Sequence, residues 1–146
     1  MHVGDWIFFY GSLRPVYGTQ RRIGIASMVR HLGPAEVQGT LHDLGDYPAL
    51  VAGSGVVRGD VYEIMDAGLA AVLDPFEGFD PAARQASRYV RERCDMVTPA
   101  GVAWVYRYQP AVDSSTVVAG GDWVAYLNEA GRNGTLGPDG GPDLPS

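Results

Sequence analysis

The chain has 146 residues, a formal net charge of −6 and 46% hydrophobic side chains, which suits one domain with its own core and excludes a disordered chain. That acidity argues against nucleic acid or an anionic membrane surface as a partner, since both need a concentrated cationic patch. All 11 basic residues are arginine, which removes lysine Schiff-base chemistry and the P-loop ammonium.

No apolar run approaches the ~20 residues of a membrane helix. The N-terminus carries no basic cluster before its apolar stretch, so a cytoplasmic location is expected. Cys94 is the sole cysteine and reads as a small buried hydrophobe, without an intrachain disulfide.

Trp6-Ile7-Phe8-Phe9-Tyr10 reads as a strand feeding a turn at Gly11. Ile23, Ala26, Ser27 and Val29-Arg30 suggest a loosely amphipathic helix ending near Gly33-Pro34. Val37, Gly39 and Leu41 alternate with polar residues, giving a strand through Leu44 before a turn at Gly45-Asp46-Tyr47-Pro48. A Gly53-Ser54-Gly55 turn should open another strand from Val56 to Ile64.

Asp66 is placed to cap a helix over Ala67 to Leu73, which Pro75 should loosen at Asp74. Strands follow at about Arg88 to Val97 and Gly101 to Gln109, joined by Thr98-Pro99-Ala100-Gly101. In the second, Trp104, Tyr106 and Tyr108 share one face, and Ala103, Val105 and Arg107 the other. Asp122 should cap a last helix with Trp123, Tyr126 and Leu127 on one side. A domain over 1–130 is expected, with an irregular Gly/Pro-rich tail over 131–146. Strands outnumber helices without regular βαβ alternation, so the class is α+β with a curved sheet or small barrel.

Few residues can carry chemistry. The Tyr10-Gly11-Ser12-Leu13 turn allows close backbone approach to a ligand, and its N–H groups can form an anion-binding nest. Read alone, it is equally a strand-ending turn with a solvent-facing serine. Ser12 lacks a nucleophile elbow, and its only candidate bases are His2, His31 and His42, the last two in places expected to be solvated. No His or Cys pair has zinc-ligand spacing. The Gly53 to Gly59 run precedes a strand rather than a helix, so it is a turn and not a phosphate loop.

Glu77 is more informative, because Phe76 and Phe79 flank it. Desolvation raises a carboxyl pKa toward the range where it can trade protons near neutrality. An exposed acid in a helix-ending turn is the alternative.

Six segments in order resemble the γ-glutamylcyclotransferase-like family, which includes γ-glutamylamine cyclotransferases and plant AIG2-like proteins. They are Phe8 to Leu13, Gly39 to Leu50, Val57 to Tyr62, Leu73 to Gly78, Tyr89-Val90-Arg91 and Ala103 to Tyr106. The resemblance implies a compact mixed β-barrel with helices around it. It implies a reaction in which the α-amine of a γ-glutamyl group attacks its own side-chain carbonyl, releasing 5-oxoproline and an amine or amino acid. On this resemblance Glu77 is the catalytic acid/base, and Tyr10, Gly11, Ser12 and Leu13 bind a small γ-glutamyl substrate without metal or cofactor. Tyr89 and Tyr106 are candidates for lining the pocket, with a core or sheet-face role as the alternative. A γ-glutamyl-acyl carrier protein as substrate, or a binding module without turnover, are the other readings.

Overall fold

A computed structural model describes residues 1–131. The tail expected over 131–146 therefore lies, Gly131 apart, outside the described residues.

Five strands form a closed barrel: β1 (Trp6–Phe9), β2 (Val29–Asp43), β3 (Pro48–Ile64), β4 (Tyr89–Thr98) and β5 (Gly101–Tyr108). Around the ring the order is β1-β3-β2-β4-β5. Successive neighbours are antiparallel, and β1 closes the ring by pairing in parallel with β5, Trp6 opposite Ala103 and Ile7 opposite Trp104. The helices are α1 (Thr19–Arg22), α2 (Leu69–Glu77) and α3 (Trp123–Glu129), with short 3₁₀ turns at Pro81–Ala86 and Ser114–Thr116.

Period-two alternation builds two apolar layers. Phe8 and Tyr10, Ala35 and Val37, Val57 and Val61, Cys94 and Met96, and Ala103 and Val105 converge from the strands into one cluster, which Trp123 and Leu127 of α3 join. The opposite set, including Ile7, Phe9, Tyr62, Tyr89 and Tyr106, packs with Leu69 and Leu73 of α2. Where β1 crosses β3, Gly59 is required by contact: a Cβ there would lie 2.2 Å from the Phe9 carbonyl oxygen.

Three expectations need correction. The helix expected over Ile23 to Gly33 is absent. Only Thr19–Arg22 is helical, Gly24 turns the chain at φ +83°, and Val29 already pairs with Ile64. Long-range pairing of the β-branched residues outweighs their local pattern.

The Gly53-Ser54-Gly55 segment does not begin a strand but lies within β3. Thr40 pairs with Val51 and Gln38 with Val56, so residues 52–55 bulge opposite Gly39. Finally, α2 starts later and runs through Pro75 to Glu77. Gly68 is its N-cap residue, while Asp66 accepts the Gly68 N–H just ahead of it. Gly78 ends α2 at φ 76°, with the Phe79 N–H returning to the Asp74 carbonyl. The last helix is as expected, Asp122 accepting the Ala125 N–H at 3.1 Å.

Candidate active site

α2 delivers two acids on one face, since Asp74 and Glu77 are three residues apart. Both are buried, Glu77 completely. The αL turn at Gly78 folds the chain back, so Phe79 is buried in the layer that α2 packs upon and Phe76 is packed against it. This is the desolvated setting expected for an acid between two phenylalanines.

Asp74 is fully engaged. The Tyr106 hydroxyl donates to its Oδ1 at 2.6 Å, and the Arg91 guanidinium lies against both oxygens, Nε 3.2 Å from Oδ1 and Nη2 3.3 Å from Oδ2. Arg91 is flanked by the rings of Phe79 and Trp104, at 5.7 and 5.5 Å. The pair is thus neutralised and held by packing.

Three buried phenols feel the charge of Glu77. Its charge bears on Tyr10, Tyr89 and Tyr106, in each case discouraging ionisation of the phenol. Burial is the larger cause in all three, and it pushes each pKa well above its usual value near 10. These side chains stay protonated throughout the neutral range. Their protons are directed inward: Tyr10 donates to the Tyr106 carbonyl at 2.5 Å, Tyr89 to the Pro48 carbonyl at 2.8 Å, and Tyr106 to Asp74.

The sequence-derived site is therefore assembled in part. Glu77, Tyr10, Tyr89 and Tyr106 come together from α2, β4, β5 and the exit of β1. Tyr10 joins that group to the turn. Gly11 and Leu13 are buried and Ser12 is half-buried. The Gly11 carbonyl accepts the Arg14 N–H at 3.1 Å, and the Leu13 carbonyl accepts from Gln20 at 2.6 Å, so the turn is fixed from both of its ends.

Sequence reasoning missed what holds the turn. Arg14 donates to Asp60 through Nε and to Asp122 through Nη1, each at 2.9 Å, and His31 Nε2 lies 2.9 Å from the other Asp60 oxygen. His31 is exposed, as expected, although it meets Asp60, whereas His42 is not solvated: it is buried and meets the Thr116 hydroxyl at 2.8 Å. The role of Asp74 was missed too, although an acid three residues before Glu77 on an apolar helix was a visible signal. Among the described residues, no three His, Cys, Asp or Glu side chains are grouped as metal ligands would be, and no helix is long and apolar enough to cross a membrane.

A family described as "Gamma-glutamyl cyclotransferase, AIG2-like" matches residues 7–125, from the second residue of β1 through the first turn of α3, and the chain belongs to that family. The chain is 36% identical over 118 residues to the γ-glutamylcyclotransferase family protein YtfP of Escherichia coli K12, covering 81% of this chain and 95% of the relative. Its fold is similar to the solution NMR structure of E. coli YtfP, with a TM-score of 0.61 at 34% identity over 82% of this chain and 96% of that one. An AIG2-like protein from Mus musculus shares the fold, with a TM-score of 0.54 at 20% identity, covering 83% and 95% of the two chains.

Proposed function

We propose that this protein is a γ-glutamyl cyclotransferase that releases 5-oxoproline from a small γ-glutamyl compound, with Glu77 as proton carrier. The observation that carries the reading is a fully buried carboxyl whose charge is felt by three buried phenols.

The substrate brings its own nucleophile as an ammonium, which must lose a proton before it can attack. Glu77 takes that proton. The freed nitrogen bonds to the γ-carbonyl carbon, and as the tetrahedral intermediate collapses the carbon–nitrogen bond to the leaving amine breaks. The bonded nitrogen gives up a second proton as the ring closes to the neutral lactam; both protons pass to the departing nitrogen, one of them through Glu77, and it leaves as an ammonium, so no proton is gained or lost overall. Such transfer contributes ~10²–10⁴-fold to rate.

The phenols fit one end of this chemistry. The protons of Tyr89 and Tyr106 are committed to Pro48 and Asp74, so what their oxygens offer a ligand is lone pairs, and an ammonium is a pure donor; the Tyr10 oxygen already takes the Leu50 N–H. The N–H groups of the Gly11–Leu13 turn suit the opposite charge, the substrate carboxylate or the developing oxyanion. Holding both ends folds the glutamyl group toward its cyclising shape, an orientation effect within the ~7–11 kcal/mol open to well-placed reactants.

Incubation with γ-glutamyl amino acids and γ-glutamylamines should yield 5-oxoproline, followed by chromatography. Glu77→Gln should abolish release with an unchanged circular dichroism spectrum. Binding of these compounds without any turnover would instead make the protein a binding module of the same fold.

A further inference from the structure

A cavity of about 490 Å³ lies beside the segment that follows the Tyr10–Leu13 turn, and no member of the Glu77 cluster lines it. Val16, Tyr17, Gln20 and Arg21 line it from that segment and α1, His31 from β2 and Tyr62 from β3. Its size is ordinary for a small-molecule site.

Part of the lining is aromatic and held in place. The Tyr62 and His31 rings meet with their centroids 4.9 Å apart. Tyr62 is buried and also packs on the Phe9 ring at 5.3 Å. His31 is fixed through Nε2, 2.9 Å from an Asp60 oxygen. A ring entering the cavity therefore meets rings that are already set, which spares the entropy of ordering them.

The cavity is also positive. Arg21 is exposed, and among the described residues no carboxylate lies within ion-pair distance of it. No Asp or Glu is among the residues that line the cavity. Asp60, the acid that His31 meets, lies outside the lining and has both oxygens taken, by Arg14 and His31. In a chain of net charge −6, such a place repels an anion least. A guanidinium without a partner matches the planar fork of a carboxylate.

We propose that this cavity is a ligand site in its own right, for a small aromatic carboxylate whose ring lies against Tyr62 and His31 and whose carboxylate meets Arg21. Such binding needs no turnover, so it stands or falls apart from the cyclotransferase reading. Gln20 supplies a reporter, because its Nε2 donates to the Leu13 carbonyl at 2.6 Å while the same side chain lines the cavity.

Titration of the full chain with phenylacetate, phenylacetamide and acetate, followed through amide resonances by NMR, tests this. Phenylacetate should bind about 5- to 10-fold more tightly than phenylacetamide, between the worth of an exposed ion pair and of a charge-assisted hydrogen bond. Acetate should bind about 10-fold more weakly than phenylacetate, for want of ring contact. The shifts should centre on Val16, Gly18 and the Gln20 side-chain amide. Arg21→Met should bring phenylacetate and phenylacetamide to equal affinity, and Arg21→Lys should keep part of the difference. Because Arg21 is exposed, both variants should keep the wild-type spectrum elsewhere. No saturable binding, shifts confined to other residues, acetate as tight as phenylacetate, or a preference that survives Arg21→Met overturns the proposal.

Discussion

Two polar networks flank the exit of β1, and they differ in the groups that build them. In the first, Arg14 sits between Asp60 and Asp122, and Asp60 also meets His31, so one guanidinium is held by two carboxylates, each at 2.9 Å. In the second, Arg91 neutralises Asp74, while the phenols of Tyr10, Tyr89 and Tyr106 feel the charge of a completely buried Glu77. A balanced network fixes geometry, because each charge is costly to move away from its partner. On the proposed reading, the same chain uses one network to hold the Tyr10–Leu13 turn and the other to carry protons.

Substitutions that separate these roles should split rate from stability. The largest contrast is Glu77→Gln, expected to lower 5-oxoproline release by ~10²–10⁴-fold with little change in the urea midpoint. Asp60→Ala should do the reverse in kind, lowering unfolding free energy by about 2–3 kcal/mol in urea titration, because Arg14 and His31 lose charge-assisted contacts. A large stability loss in Glu77→Gln and none in Asp60→Ala would invert the assignment.

Smaller effects sharpen it. Tyr106→Phe removes one hydroxyl from Asp74 while leaving Arg91 in place, for about 1 kcal/mol of stability in the same titration. Tyr62, whose ring lies 4.9 Å from that of His31, has its pKa raised from 10.0 to about 12, mainly by burial, with Asp60 adding to the rise. A phenol with a raised folded pKa stabilises the fold below its unfolded value. That contribution should fade as pH rises from 10 to about 12. Tyrosinate absorbance in the folded protein, read beside stability over that window, checks both statements.

Much of the barrel was legible because period two survives burial. The split of β5 into Trp104, Tyr106 and Tyr108 against Ala103, Val105 and Arg107 is the split between its outer and inner faces. The Asp122 cap was equally local. The failures came where distant pairing decided. Nothing in residues 23–33 says that Val29 will face Ile64, and nothing near Gly53 says that residues 52–55 will bulge opposite Gly39.

At the site, Glu77 and Tyr10 could be picked out from short segments. The direction of the phenol protons could not, because their acceptors are the backbone of Tyr106 and Pro48 and the side chain of Asp74, contributed by other elements. The links from Arg14 to Asp60 and Asp122 span 46 and 108 residues. Such pairings are invisible to any window.

The parallel seam between β1 and β5 has a consequence for biosynthesis. The barrel's own first strand, β1, lacks one neighbour until nearly the whole barrel has been made. The phenol of Tyr10 likewise waits for the carbonyl of Tyr106. A nascent chain stopped before β5 would hold an unclosed sheet with an unpaired edge, the form most prone to join another chain. Completion of the last strand therefore seals the ring and gives the Tyr10 hydroxyl its acceptor in a single event.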